Sequence, residues 1–338
     1  MPFITGGAEA LVTSLRQEFI SHGHECEIVS IPFKWYPPER LLDCMAMARL
    51  MDLTEVNGQR IDKVVAMKFP AYYVEHPNKT FWVMHQHRQA YELFGTEHSD
   101  LHQSELGERV SAEIQRWDNV CFRGRSNVYT ISKTVADRLE HFNKARATPL
   151  YPPPLNYKKY QSGPFGDFVF YAGRFSPMKR QHLLIEALAI TKNPVRAVLV
   201  GSPTESYGAE VLRLIKEKEL SNRVECRGIV DEEEKLTLYS QALSVYNGVY
   251  QEDYGYLTLE AFFASKPVVT HTDSGGPLEF VQSRVNGFVT EPTPEALATA
   301  LDELYENRDR AKNYGKAGRL LLKERDINWE TVVEALLG

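Results

Sequence analysis

The chain has 338 residues, 43% of them hydrophobic and 25% charged, with a net charge of −6. That balance excludes a disordered or fibrous chain and, since neither half is basic, a nucleic-acid-wrapping one; the length suffices for two cores. The four cysteines form no C-x-x-C pair and no apolar run reaches the ~18 residues of a membrane span, so we expect reduced thiols in a cytoplasmic protein.

Short β-branched or aromatic runs alternate with segments of helical period almost throughout, the pattern of parallel sheets covered by helices. The amino terminus departs from it. Met1-Pro2-Phe3-Ile4-Thr5 leads almost at once into Gly6-Gly7, where a doubly wound domain would open with a full buried strand, so that first strand is expected to be missing or cut short. In the first half the pattern predicts helices near Ala8–His22, Glu39–Leu53, Glu105–Trp117 and Lys133–Phe142. The strands between them are expected near Cys26–Ile31, Lys63–Lys68, Phe81–Met84 and Asn127–Ile131. The segment Thr148-Pro149-Leu150-Tyr151-Pro152-Pro153-Pro154 follows, and its fixed φ angles and missing N–H donors favour a stiff, extended connector. We place a boundary there, giving domains over 1–150 and 151–322 with a tail over 323–338. In the second half strands are expected near Phe168–Ala172, Arg196–Val200, Val224–Cys226, Leu243–Val245, Pro267–Thr270 and Gly287–Val289. Helices are expected near Gln181–Ile190, Ala209–Glu219, Glu232–Ser240, Tyr256–Ala264 and Glu295–Glu306. Both halves read as doubly wound α/β domains, and such sheets bind ligands beyond the carboxyl ends of their strands, so two of them would face a cleft.

Glu252 and Glu260 bracket a turn and the start of an apolar helix. With the helix starting near Tyr256, Glu252 lies just before its first turn, where backbone amides and the dipole attract anions, and Glu260 lies one to two turns inside. Carboxylates accept from sugar hydroxyls while the amides hold a phosphate, which suits a nucleotide sugar. A loop carboxylate and a solvated helix residue would show the same spacing. Gly173, Arg174 and Lys179 add a strand, a glycine turn and two cations five residues apart, a plausible anion clamp in the same domain. No Asp-x-Asp occurs, so no metal or other cofactor is expected, and the diphosphate charge falls to fixed cations and helix amides. His85-Gln86-His87 has the look of a metal-ligand pair, but no third ligand sits at a telling distance, and a single polar role for His85 beyond its strand is the stronger reading. Gly6 and Gly7 open a helix whose amides could meet the same diphosphate. The loop Phe33-Lys34-Trp35-Tyr36-Pro37-Pro38 mixes aromatics with a cation, which leaves an acceptor contact, a peripheral membrane contact or ordinary packing open.

Taken together, Gly6-Gly7-Ala8-Glu9, His85, Gly173-Arg174 with Lys179, Gly228, Glu252 to Glu260 and Gly275-Gly276 resemble the GT-B glycosyltransferases, specifically the retaining enzymes of family 4, over nearly the whole chain. The resemblance implies metal-independent sugar transfer, with retained anomeric configuration, from a nucleotide-diphosphate sugar (UDP-sugars among them) to a glycan or lipid-linked acceptor. It implies that Arg174 and Lys179 clamp the diphosphate, that amides of Tyr256 and Leu257 complete that site, and that Glu260 binds the ribose. Glu252 would hold the donor sugar, backbone near Ile229 the base, and His85 would lie beside the reacting sugar. It also implies a last helix, here Trp329–Leu337, crossing back onto the first domain, and a place in the cytoplasm or against the inner face of a membrane. Two departures stand out: Arg180 occupies a position where many members carry Gly, and the first strand is expected to be missing or cut short. A nucleotide-sugar epimerase or hydrolase, and a non-catalytic nucleotide-sugar-binding module, are the competing readings; the first would consume donor without acceptor, the second would bind it without turnover.

Overall fold

The computed structural model describes residues 6–203 and 206–338, and the chain divides into two compact units, Met1–Pro152 with Asn328–Gly338, and Pro153–Ile327. The strand expected to be cut short across Met1–Thr5 lies outside the described residues.

The first unit begins with α1 (Gly7–Ser21) and α2 (Arg40–Leu50), then a small antiparallel pair, β1 (Glu55–Val56) and β2 (Gln59–Arg60). Its main sheet takes β3 (Val64–Ala66), β4 (Lys79–Val83), β5 (Val128–Thr130) and β6 (Thr148–Pro149) in that order, all parallel. Between these strands run α3 (Glu105–Phe122) and α4 (Lys133–Asn143), whose starts are fixed by Ser104 and Ser132, each accepting from an amide three residues on. β4 is buried along its whole length, as a central parallel strand covered on both faces must be. It carries a charge inward: the Lys79 ammonium donates to the carbonyls of Tyr72 and Val74 at 3.0 and 2.7 Å.

The strand expected at Cys26–Ile31 does not form. Those residues make no ladder, and Ile28 and Val29 are 42% and 52% exposed. β-branched residues favour an extended backbone, but a strand needs a neighbour to take its amide and carbonyl groups; among the described residues β3, at the sheet edge, pairs only with β4.

The second unit alternates strand and helix as far as β11 and then adds a strand and two helices: β7 (Phe168–Ala172), α5 (Gln181–Ile190), β8 (Arg196–Val200), α6 (Ser206–Glu217), β9 (Val224–Gly228), α7 (Glu232–Gln241), β10 (Ser244–Tyr246), α8 (Tyr256–Phe263), β11 (Val268–His271), β12 (Gly287–Thr290), α9 (Pro294–Glu306) and α10 (Arg308–Glu324). All six strands are parallel, in the order β12-β11-β10-β7-β8-β9. The winding therefore reverses between β7 and β10, and a crevice opens at such a reversal because the two following connections leave toward opposite faces. Val169, Tyr171, Leu184, Leu188 and Leu199 pack with Leu297 and Leu301 of α9 in the core. Asp231, Thr293 and Asn307 cap α7, α9 and α10 through side-chain oxygens.

The chain then returns to the first unit as α11 (Trp329–Leu337), capped by Asn328. Trp329 meets the buried Trp82 of β4 edge-on at 6.4 Å, α11 packs against α1, and Lys63 donates to the carbonyl of Leu337 at 2.8 Å. Its apolar face supplies burial for Val332, Val333 and Leu336.

Candidate functional site

Strand order brings the connection after β7 beside the connection after β10. The first of these starts with a close approach of three strand ends: the Gly173 amide donates to Val200 at 2.9 Å, and the Gly201 amide to Gly228 at 2.7 Å. A Cβ on Gly201 would stand 2.0 Å from the Gly173 carbonyl oxygen, at a φ of +136°, so only glycine fits there. Arg174 follows, with its carbonyl fixed by the Tyr171 hydroxyl at 3.0 Å and the Gln181 amide at 2.9 Å while its side chain is exposed. A single 3₁₀ turn, Pro177–Lys179, then presents Lys179, whose ammonium is paired with the Glu252 carboxylate. Both side chains are about a quarter exposed, 27% and 25%, open enough for a ligand to reach them.

Glu252 is held by backbone on both sides. Its amide donates to Ser274 at 2.8 Å, its carbonyl accepts from Gly276 at 2.8 Å, and the Gln251 amide donates to Asp273 at 3.0 Å. The segment after β10 thus lies along the turn after β11, and a Cβ on Gly275 would come within 2.5 Å of the Glu252 carbonyl oxygen. Arg180 completes the assembly: in the left-handed region at φ 53°, it sends both guanidinium nitrogens to the two Asp273 oxygens at 2.7 Å each, with its guanidinium over the Tyr250 ring at 5.0 Å.

Gly255 starts α8 at φ 90° and offers no side-chain cap, so the first-turn amides, those of Tyr256 and Leu257 among them, stand at an uncapped helix start. The Tyr256 hydroxyl is buried without a hydrogen-bond partner, and that burial pushes it far above the usual tyrosine range. Glu260 sits one turn into α8, only 12% exposed, turned toward α7: it accepts from the Tyr239 hydroxyl, and Lys235 lies 3.5 Å away. Burial lowers the Lys235 charge's stability, but Glu260 and Glu232 outweigh it and hold the ammonium above its usual range. Ile229, after β9, is 85% exposed.

In the first unit Gly6 caps α1 and Gly7 is its first residue, both exposed. His85 lies just beyond β4, its Nδ1 2.6 Å from the Gln86 carbonyl, and Gln86 donates to the Asn143 side chain. His87 does not pair with it as a metal ligand would. Its ring packs on Phe69 at 5.1 Å and Phe33 at 6.3 Å, its Nε2 is buried without a hydrogen-bond partner, and burial pushes its pKa down to about 4. Among the described residues no group of three or more His, Cys, Asp or Glu is placed to hold a metal ion. The loop at 33–38 shows Trp35 edge-on to Tyr36 at 5.2 Å, with both rings exposed.

Two features had no sequence signal. Asp273 sits in an ordinary turn sequence, and nothing marks it as the partner of a residue 93 positions away. Asp118, on α3, is fully buried and accepts from the hydroxyls of Tyr72, Tyr73 and Tyr91, an acid without a cation that helical periodicity alone would assign to packing.

Residues 158–321 match the family model described as Glycosyl transferases group 1. The chain is 29% identical over 161 residues to O-antigen chain mannosyltransferase C of Escherichia coli, covering 47% of this chain and 42% of that protein. It is 28% identical over 116 residues to human Alpha-1,3/1,6-mannosyltransferase ALG2, covering 34% of this chain and 28% of that protein. The matches therefore span less than half the length of these curated relatives. Among solved structures, sucrose-phosphate synthase of Thermosynechococcus elongatus superposes with a TM-score of 0.77 at 20% identity, covering 98% of this chain and 93% of that one. HepE of Anabaena, in complex with UDP and glucose, superposes with a TM-score of 0.67 at 20% identity, covering 98% and 96%. These superpositions give the architecture, that of the GT-B glycosyltransferases. The match to the group 1 glycosyl transferases is confined to residues 158–321, which make up most of the second unit.

Proposed function

We propose that the protein is a glycosyltransferase that moves a sugar from a nucleotide-diphosphate sugar to a hydroxyl of a glycan or lipid-linked acceptor, with retention and without a metal. The observation that carries this reading is the Lys179–Glu252 pair at the reversal between β7 and β10. A cation and an acid, partly exposed side by side next to an uncapped helix start, match the adjoining charges of a diphosphate and the hydroxyls of the sugar it carries.

In this reading Arg174 and Lys179 neutralise the diphosphate as the glycosidic bond breaks, with the amides of Tyr256 and Leu257 adding donors. Glu252 exchanges Lys179 for donor-sugar hydroxyls. Glu260, already steadied by Tyr239 and Lys235, accepts from the ribose, and backbone at Ile229 borders the base. The acceptor oxygen attacks the anomeric carbon on the face the diphosphate leaves; the C–O bond to phosphate breaks, and the acceptor proton passes to the departing phosphate oxygen. The mannosyltransferase names of the relatives make a mannose donor the first to try. No helix among the described residues is long and apolar enough to cross a membrane, and work in the cytoplasm or at the inner membrane face is part of the proposal.

A thermal-shift panel of UDP- and GDP-sugars on the full chain, followed by turnover of the stabilising donor with and without mono- and oligosaccharide or lipid-linked acceptors, tests it. We expect one donor to raise the melting point and to be consumed only with an acceptor, and Glu252→Ala and Lys179→Ala each to lower turnover by about 10²-fold or more. Full turnover in both variants, or consumption that ignores the acceptor, refutes the proposal.

A further inference from the structure

Lys179 and Arg180 are adjacent cations with different partners: Lys179 holds Glu252, from the segment after β10, and Arg180 holds Asp273, from the turn after β11. Those two segments are themselves joined by the Gln251–Asp273, Glu252–Ser274 and Gly276–Glu252 backbone bonds. The result is a closed ring: Arg180 side chain, Asp273, the backbone bonds to Gln251 and Glu252, the Glu252 side chain, Lys179, and the peptide bond back to Arg180.

The two ion pairs are not equivalent. Lys179 meets its partner through one ammonium, which can swing away on a flexible stem. Arg180 meets both Asp273 oxygens at 2.7 Å in a planar fork, is packed on Tyr250 at 5.0 Å, and has its carbonyl held by the Tyr246 hydroxyl at 3.2 Å. Its side chain is 16% exposed against 27% for Lys179. A bidentate guanidinium–carboxylate pair fixes direction as well as distance. Tyr250 also ties the two connections through its amide, which donates to the Met178 carbonyl at 2.8 Å.

We propose that Arg180 is a positioning residue: its pair with Asp273 holds the segment 250–253 against the turn after β11 and so keeps Glu252 in place when a ligand draws Lys179 off it. This rests on the proposed function only for what the ligand is, since the ring exists without one. Arg180 touches no reacting atom and acts through Glu252.

Arg180→Gly removes the fork without adding backbone strain, because glycine adopts a φ of 53° freely. Asp273→Asn is the second variant, keeping size and losing the charge, and Arg180→Lys retains the charge while losing the fork. Amide hydrogen exchange on the full chain is the first readout. Both Arg180→Gly and Asp273→Asn are expected to speed exchange at Gln251, Glu252 and Gly276 about tenfold, leaving the β8 amides unchanged. With the donor identified by the panel, Arg180→Gly is expected to lower kcat/KM about tenfold, Arg180→Lys less, and Arg180→Gly made on Glu252→Ala is expected to add under about twofold, as residues acting as a unit do. Unchanged exchange in both variants, or full additivity with Glu252→Ala, overturns the inference. Faster exchange in a protein that turns over no nucleotide sugar supports the positioning role and refutes the proposed function instead.

Discussion

Replacing Glu252 by Gln should move two measurements in opposite directions. In the ligand-free protein Glu252 occupies the ammonium of Lys179, and a diphosphate seeking that ammonium has to displace it. The side chains are 27% and 25% exposed, between the surface regime, where a pair contributes about 0–1 kcal/mol, and the buried one, where breaking it costs about 3–5 kcal/mol. We take about 1 kcal/mol, which is close to a fivefold change in an equilibrium constant. Glu252→Gln should therefore bind the nucleoside diphosphate alone about fivefold more tightly than the parent, measured by isothermal titration calorimetry at fixed ionic strength. The free variant should melt about 2–4 °C lower, the shift for 1 kcal/mol in a domain of this size. Its turnover of the complete donor should fall by about 10²-fold or more, because the sugar has lost the acid that holds its hydroxyls. Lys179→Met separates the cases: it loses diphosphate affinity and turnover together. If Glu252→Gln leaves nucleoside diphosphate binding unchanged or weaker, Lys179 is not the cation the diphosphate meets, and the roles given to both residues fail.

Gly201→Ala should destabilise the second unit by about 3 kcal/mol or more, read as a fall in the denaturant midpoint, because its Cβ would stand 2.0 Å from the Gly173 carbonyl at a φ of +136°; an unchanged midpoint would refute the close approach of β7 and β8. Buried titratable groups in the two units also make opposite contributions on acidification. In the first, burial raises Asp118 from 3.8 to about 6 even though three tyrosine hydroxyls oppose the rise; its contribution is complete below the unfolded value and is lost as pH climbs to 6, about 3 kcal/mol. In the second, burial lowers His271 from 6.5 to about 4, so its contribution is complete above 6.5 and about 3 kcal/mol is lost as pH falls to 4. Burial also lowers His87 of the first unit to about 4, a loss of about 3 kcal/mol as pH falls; all four tryptophans, Trp35, Trp82, Trp117 and Trp329, belong to that unit, so denaturation followed by tryptophan fluorescence should show the Asp118 and His87 contributions nearly cancelling from pH 6 to 4. Amide exchange in β10 and β11 should show the second unit losing stability over that range. Asp118→Asn should uncover the His87 loss, so that the first unit of the variant loses stability from pH 6 to 4, and an unchanged trend would refute the contribution given to Asp118.

What could be read in the sequence follows from how each element is covered. β7 and β8 were readable to the residue, Phe168–Ala172 and Arg196–Val200, because a central parallel strand buried on both faces is a continuous apolar run between turn residues. β9 runs two residues past its apolar stretch, to Gly228, since the ladder is made by backbone and tolerates the solvent-facing Arg227. Cys26–Ile31 shows the converse: composition favoured a strand, but pairing is supplied by a partner, and composition does not encode one. The site divides along the same line. The places of Gly173, Lys179 and Glu252 in the fold were legible because each sits at a strand end or beside a helix start, positions that turn chemistry marks, and that of Glu260 because it follows one turn into α8. Their pairings were not. The sequence places Lys179 beside Arg174 as a common clamp, whereas the structure sets Lys179 on Glu252 and leaves Arg174 exposed. Likewise Arg180 looked like a mild departure at a glycine position, and its carboxylate lies 93 residues away. Both pairings are consequences of strand order: β10 lies next to β7 and β11 next to β10, so two neighbouring cations after β7 meet acids from two successive connections. A sheet wound in another order would have sent the same Lys-Arg dipeptide to different partners, and for that reason the electrostatics of this site belong to the topology and not to any local motif.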